Sequence, residues 1–213
     1  MSSPSGAPIR DVPAAPPPST SRESLLQAAR RVFEDRGYFQ ARITDITGEA
    51  GLAAGSFYTH FQSKESVFDA VATELVPDEF VFTSPPASAA EAMPWLREQL
   101  RAHVSRFVQD RRLWLTTQQA ALGGASGISA VRDQHATMVE RLADVVRAWR
   151  SAGIVEARTE DAFLAQALAS MAEECLYHWY LLDEVPPPEE DAVNKLCWAW
   201  QRVLRMPDPR GNR

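Results

Sequence analysis

Apolar residues recur at steps of three and four along most of this 213-residue chain. That spacing places side chains on one face of an α-helix, whereas a half-buried strand alternates every second residue, and no convincing alternating stretch occurs. One clear series is Val131, His135, Met138, Leu142, Val145 and Trp149. The sequence therefore predicts an all-α fold of about nine helices.

The N-terminal part begins with a segment rich in proline and serine. Residues 1–19 contain few apolar anchors, and we predict a disordered tail there. Thr20 and Glu23 have the spacing of a reciprocal cap that satisfies two backbone amides at the start of a helix. We predict the first helix over residues 20–36, ended by Gly37 in a left-handed conformation.

Two short helices are predicted next, over residues 43–50 and 54–61, joined by a tight turn at Gly51. Ser63 can cap a fourth helix, which Pro77 stops because proline cannot continue it. These four helices define a predicted N-terminal helix-turn-helix domain over residues 20–76.

A second helical domain is predicted over residues 77–206, followed by a flexible tail over 207–213. Five helices are predicted in it. The first begins near Pro94, the second covers residues 111–122, and the third ends at Gly153. The fourth runs from a cap at Thr159 to Leu182, and the fifth follows the prolines 186–188.

Composition places the chain among ordinary globular proteins, because 45% of its residues are hydrophobic and 23% are charged. No segment has the apolar run of a membrane span or a signal peptide, so we expect no membrane association. The two cysteines, Cys175 and Cys197, are too few for a disulfide framework. We therefore expect a reduced, cytoplasmic environment.

The stretch from Ile43 to Phe61 has the pattern of a helix-turn-helix. Such a motif needs apolar residues that fix two short helices at an angle, a glycine at the turn, and a second helix whose outer face is small and polar. The apolar set is Ile43, Ile46, Ala50, Leu52, Phe57 and Phe61. Gly51 supplies the turn, and the remaining residues of 54–60 leave a surface that can enter a major groove.

At this point the sequence resembles the TetR family of bacterial transcriptional regulators, over about residues 22–75. The matching residues are Ala29, Phe33, Gly37, Tyr38, Ile43, Asp45, Ile46, Ala50, Gly51, Gly55, Ser56, Phe57, Tyr58, His60, Phe61, Ser63, Lys64 and Glu65. The resemblance implies that residues 54–61 form a recognition helix and that the rest of the chain binds a small-molecule effector and forms a homodimer.

The resemblance also implies which residues contact double-stranded operator DNA. Tyr58, His60 and Lys64 are expected on the phosphate backbone. The residues expected to face bases or nearby phosphates are Arg42, Thr44, Ala54, Gly55, Ser56 and Thr59.

The predicted recognition helix contains no Arg, Lys, Asn or Gln, so bidentate recognition of guanine or adenine from it is excluded. Specificity is expected instead from thymine-methyl contacts, a serine hydroxyl, Arg42 and DNA shape. Ala53 and the pair Ala41-Arg42 stand where the family usually has hydroxyl caps, and Thr47 stands where alanine is usual. Loss of a side-chain cap costs about 0.5–2 kcal/mol.

The net charge of −6 at first argues against a phosphate-bearing partner. However, residues 1–64 carry seven Lys and Arg against six Asp and Glu, whereas residues 65–213 carry fifteen against twenty-two. The acidity therefore belongs to the second domain. The nearly neutral N-terminal part predicts modest non-specific DNA binding that fades with salt.

The aromatic residues of the second domain fit an ordinary core as well as a core with a pocket, and the family resemblance implies a pocket for an apolar or amphipathic effector. The candidate ligand-binding residues are Trp95, Leu96, Leu100, His103, Phe107, Trp114, Gln118, Met138, Leu142, Met171, Cys175 and Trp179. By the family resemblance the last two helices form the dimer seam. The candidate interface residues are Phe163, Ala167, Ser170, Glu174, Tyr177, Trp200 and Leu204.

Other functions have less support from the sequence. Glu174 and His178 form one i,i+4 pair without a second pair of ligands, so we expect no metal and no other cofactor. No nucleophile elbow, P-loop or dinucleotide fingerprint occurs, and we expect no enzymatic activity. The alternative that stays open is a small-molecule sensor or binding protein whose DNA binding is weak or lost.

Overall fold

The computed structural model describes residues 20–75, 84–122 and 129–207. Those ranges contain eight α-helices and one π-helical segment, and no β-strand. The helices are α1 (Ser21–Gln40), α2 (Ile43–Glu49), α3 (Ala54–His60), α4 (Lys64–Thr73), α5 (Ala89–Leu122), α6 (Ser129–Ser151), α7 (Asp161–Tyr177), the π-helical segment His178–Leu182, and α8 (Glu189–Leu204). The predicted all-α fold is confirmed.

The start of α1 is capped as predicted, and its end differs from the prediction. Thr20 N donates to Glu23 Oε2 at 2.9 Å, and Glu23 N donates to Thr20 Oγ1 at 3.3 Å. Gly37 has a φ of 71°, but helical structure resumes after it and continues to Gln40. The glycine therefore produces a kink rather than the end of the helix at residue 36.

Three further predictions of helix limits need correction. The helix near Pro94 and the helix over 111–122 are one continuous α5, because Pro94 lies in the first turns, where a missing N–H is tolerated. The N-cap of α7 is Glu160, which makes no side-chain cap bond, rather than Thr159. The chain after Tyr177 widens into the π-helical segment.

Some predictions fall outside the described residues. These are the tail over 1–19, the stop at Pro77 and the C-terminal tail beyond Pro207. Within the described ranges, no helix is both long enough and apolar enough to cross a bilayer.

Two hydrophobic cores hold the helices together, and α5 contributes to both. The first core lies among α1 to α4 around Phe33, Phe57 and Phe68, and the C-terminal half of α5 completes it with Leu113 and Ala120. The second core lies among α5 to α8. Because α5 crosses between them, the division at residue 76 stays a prediction.

Polar contacts fix α1 to α5 at this junction. Thr116 Oγ1 donates to the Phe33 carbonyl at 3.1 Å inside the protein. Asp110 of α5 is 4% exposed and forms ion pairs with Arg30 of α1 and Arg106 of α5. The N-terminal helices are therefore attached to the helical body, which consists of α5 to α8, through a buried carboxylate.

Candidate nucleic-acid interface

The turn between α2 and α3 fixes the angle of the second helix. Gly51 has a φ of 67°, and Leu52 N donates to the Thr47 carbonyl at 2.9 Å. Phe57 is fully buried on the inner face of α3, while its neighbour Tyr58 is 63% exposed. A rigid scaffold therefore presents the outer face of α3 to solvent.

Most of the predicted DNA contacts lie on this exposed surface. The exposed residues are Arg42, Thr44, Ala54, Gly55, Tyr58, Thr59 and His60. Ser56 and Lys64 are half-buried. The exposed candidates therefore belong to two helices, α3 and the start of α2.

Lys64 is more constrained than the sequence indicated. Its Nζ donates to the carbonyls of Tyr38 at 2.9 Å and Ala41 at 3.2 Å, and lies 4.4 Å from the centre of the Tyr38 ring. An ammonium group has three donors, so one is left for a phosphate. Lys64 therefore ties α4 to the end of α1 in addition to its predicted role.

Tyr38 and Glu65 complete this attachment. The Tyr38 hydroxyl donates to Glu65 Oε1 at 2.9 Å, and burial together with Glu65 raises the pKa of Tyr38. The pKa of Glu65 is lowered by its own backbone N–H and by the hydroxyls of Ser63 and Tyr38. The carboxylate stays charged near neutral pH and accepts these bonds.

Three of the cations in the N-terminal helices are paired with carboxylates of the same chain. Arg31 Nε lies 2.7 Å from Glu49 Oε1, and Arg36 Nη1 lies 2.9 Å from Asp45 Oδ1. Arg30 pairs with the buried Asp110 described above. Their charges are already compensated, so they attract DNA less than their number suggests.

Arg22 and Arg42 are exposed, and no described carboxylate lies within ion-pair distance of either. The Arg22 guanidinium lies 5.2 Å from the ring centre of Phe61, the residue directly after α3. Arg22 was absent from the predicted contacts, because its position beside α3 depends on the packing of α1 against Phe61. Its charge next to α3 makes it an additional candidate for a phosphate contact.

The absence of side-chain caps on the short helices is confirmed. Ala53 occupies the N-cap of α3, where Ser56 N donates to the Ala53 carbonyl at 2.9 Å. Arg42 occupies the N-cap of α2, and its own N–H donates to Asp45 Oδ2 at 3.0 Å. One half of a capping box is therefore present at α2, supplied by Asp45.

The predicted ligand-binding residues separate into three groups. Leu100, His103, Met138 and Leu142 line a small cavity of about 20 Å³ that is completed by Gln99, Ala169, Ala172 and Trp200. Met171, Cys175 and Trp179 lie instead along an open groove between α7 and α8. The third group lines neither the cavity nor the groove, and its members are Trp95, Leu96, Phe107, Trp114 and Gln118.

This third group is used for packing or faces solvent. Trp95 contacts Trp149 edge to face, with ring centres 5.5 Å apart, and Phe107 stacks on Trp114 at 5.9 Å. Leu96 is buried in the second core, and Gln118 is exposed.

The predicted dimer residues also divide. Phe163 is 62% exposed, Ser170 and Glu174 are exposed, and Ala167 and Tyr177 are half-buried. Trp200 and Leu204 are buried in the second core, so the prediction that they face a partner is wrong. The exposed aromatic residue on α8 is Trp198, at 63%.

These features define a helix-turn-helix whose second helix, α3, is exposed, attached to the helices α5 to α8. The comparison with known families agrees: the family model described as bacterial regulatory proteins, tetR family, matches residues 25–71. Residues 25–71 are therefore similar to this family, and the resemblance seen in the sequence is confirmed over that segment.

Curated relatives match over short segments. The repressor KstR2 of Mycolicibacterium smegmatis is 39% identical over 59 residues, which are 28% of this chain and 29% of that protein. The repressor DhaR of a Mycobacterium species is 40% identical over 57 residues, which are 27% of this chain and 29% of that protein. The similarity thus spans less than a third of the length of these relatives.

Solved structures resemble nearly the whole chain. FadR of Bacillus halodurans, described as a fatty acid degradation regulator, has a TM-score of 0.72 and 18% identity, covering 90% of this chain and 100% of that chain. Salmonella enterica GusR has a TM-score of 0.72 and 18% identity, covering 87% and 96%. At this identity the likeness establishes a shared fold.

Proposed function

We propose that the protein is a homodimeric transcriptional repressor that binds a palindromic operator and is released by a small apolar or amphipathic effector. The observation that carries the proposal is the exposed outer face of α3, held in place by Phe57. Two uncompensated cations accompany it: Arg22, beside Phe61, and Arg42, at the N-cap of α2. Phosphate contacts by these cations would fix the register, and α3 would read base edges and groove shape.

A two-fold dimer would place two copies of α3 in successive major grooves about 34–36 Å apart. We propose that the dimer forms through α7 and α8, where Phe163 and Trp198 are exposed. Large exposed aromatic side chains of this kind are typical of protein interfaces.

Release by an effector requires that the protein can adopt two arrangements of the N-terminal helices relative to helices α5 to α8. The rigid α5 joins the small cavity at Leu100 and His103 to the junction at Asp110. An effector that binds one arrangement of α5 more tightly would change DNA affinity by that difference. The proposal fails if none of the ligands that raise the melting temperature of the protein changes its DNA affinity.

The DNA contact is tested with Arg22→Ala, and Arg31→Ala is the matched control because Glu49 already compensates its charge. Binding to a mixed-sequence duplex is measured from 50 to 300 mM salt. Loss of one phosphate contact lowers the slope of log K against log salt by about 0.9. We expect that change for Arg22→Ala and none for Arg31→Ala, and equal slopes for both variants would exclude the assigned contact.

A second candidate function is a small-molecule sensor with weak or lost DNA binding. The observations that favour it are the uncapped α3 and the absence of charged Arg or Lys side chains on that helix. A footprint on the DNA that flanks the gene distinguishes the two candidates. Protection at low salt that Tyr58→Ala abolishes supports the repressor, and no protection supports the sensor.

A further inference from the structure

Acidic residues outnumber basic residues in the N-terminal helices. Residues 20–75 carry six Lys and Arg against eight Asp and Glu, which gives this part of the chain a net charge of −2 with histidine neutral. DNA of any sequence attracts a protein mainly through its phosphates, and a carboxylate close to them weakens that attraction. The positions of the carboxylates therefore affect how tightly the protein holds DNA that is not its operator.

Two of these carboxylates lie on one face of α2. Asp45 and Glu49 are four residues apart, a spacing that makes them neighbours on a helix. Both pair with cations of α1, since Asp45 contacts Arg36 at 2.9 Å and Glu49 contacts Arg31 at 2.7 Å. When a helix-turn-helix binds DNA, the first helix of the motif crosses the phosphate backbone. In the proposed complex α2 takes that position, so both ion pairs lie on the helix that crosses the backbone.

Glu49 has a simpler role in the structure than Asp45. The Asp45 carboxylate also accepts the Arg42 N–H at the start of α2, so its removal would disturb the helix. Arg31 is the partner that the described residues give Glu49, and the two side chains are 54% and 46% exposed. An ion pair this exposed contributes little to stability, because water screens it. Glu49 can therefore be replaced without unfolding the motif.

The pair prevents Arg31 from adding to the attraction for DNA. A guanidinium held by a carboxylate must leave that partner before it can bind a phosphate. If Arg31 left, Glu49 would remain as an uncompensated negative charge beside the backbone, and its repulsion would offset the new contact. Arg22 and Arg42 differ in this respect, because no described carboxylate lies within ion-pair distance of either.

We propose that Glu49 competes with DNA phosphates for Arg31 and so limits the affinity of the protein for DNA of any sequence. The contact is autoinhibitory, because one side chain of the chain occupies a cation that DNA would otherwise bind. The inference rests on the proposed function, since it requires that α2 and α3 dock on DNA. It adds a residue that opposes binding to the residues that promote it.

The test uses Glu49→Gln, which keeps the size of the side chain and removes its charge. Binding of the full chain to a mixed-sequence duplex is followed by fluorescence anisotropy from 50 to 300 mM salt. One additional phosphate contact makes the slope of log K against log salt steeper by about 0.9, which corresponds to about eightfold tighter binding at 100 mM salt. We expect that change for Glu49→Gln.

Two further variants show whether the change comes from Arg31. Glu34→Gln alters the net charge by the same amount, but Arg30, the partner of Glu34, keeps its pair with Asp110. We expect its slope to equal that of the unmodified protein. The double variant of Glu49→Gln with Arg31→Ala should also return to the original slope. A steeper slope in Glu34→Gln, or one that persists in the double variant, would overturn the inference.

Binding by the unmodified protein is measured first, because it separates the two proposals. No binding at 50 mM salt would contradict the proposed function itself and, with it, the inference. If the unmodified protein binds and Glu49→Gln has the same slope and affinity, the inference alone is overturned. Circular dichroism at 222 nm on each variant confirms that the helices are retained.

Discussion

Removal of the buried charge at Asp110 should destabilise the protein more than removal of a charge from an exposed ion pair does. Asp110→Asn keeps the shape of the side chain but leaves Arg30 and Arg106 without their shared carboxylate. Breaking a buried pair in this way costs about 3–5 kcal/mol. The guanidinium side chains are 29% and 35% exposed and can regain some hydration, so we expect the lower limit, about 3 kcal/mol.

This loss can be measured as a change in the melting temperature. For a protein of this size each kcal/mol lowers the melting temperature by about 2–4 °C, so the variant should melt about 6–12 °C lower. Circular dichroism at 222 nm follows the transition, and urea unfolding at 25 °C gives the free energy independently.

Glu190 offers a matched control, because it also lies between two arginines. Arg97 and Arg101 contact its carboxylate, but all three side chains are substantially exposed to solvent. Exposed pairs contribute little, since water screens them. Glu190→Gln should leave the melting temperature nearly unchanged. Equal effects of Asp110→Asn and Glu190→Gln would refute the role assigned to the buried carboxylate.

Two further predictions concern the turn of the motif and the pH dependence of stability. Gly51→Ala should lower the free energy of unfolding by about 1–2 kcal/mol, because the added Cβ meets no atom but the positive φ is strained. Gly48→Ala, at a helical position, should raise the free energy of unfolding by about 0.5–1 kcal/mol. Equal urea midpoints for the two variants would contradict this. The hydrogen bond that His135 Nδ1 donates to Glu173 raises the pKa of His135, so the stability that His135 provides is fully present below pH 6.5 and lost as pH rises through the raised value. His135→Gln should therefore lose more stability at pH 5.5 than at pH 8.5, and a loss independent of pH would contradict the assignment.

Local signals in the sequence predicted the N-terminal helices well. The cap formed by Thr20 and Glu23 and the turn at Gly51 depend on neighbouring residues alone, and the structure contains both. The limits of α5 were harder to predict, because nothing between Phe107 and Leu113 breaks a helix and the two predicted helices differ only in which core they face.

The sites in the body depend on contacts between distant segments. Periodicity placed Trp200 on the apolar face of α8, but it could not show that this face packs against the protein's own core rather than against a partner. Similarly, no local pattern indicates that Asp110 is buried, or that Arg22 lies beside Phe61. Such assignments require the packing of the helices.

The most direct test of the central claim is selection of bound duplexes from a random DNA pool. If α3 is a recognition helix of a dimer, the selected sequences should contain two inverted half-sites whose centres are about 10–10.5 base pairs, or a multiple, apart. The double variant Tyr58→Ala and His60→Ala, which alters exposed residues only, should select no such sequence. A pool without enrichment, or the same enrichment with the double variant, would contradict the claim that α3 binds DNA.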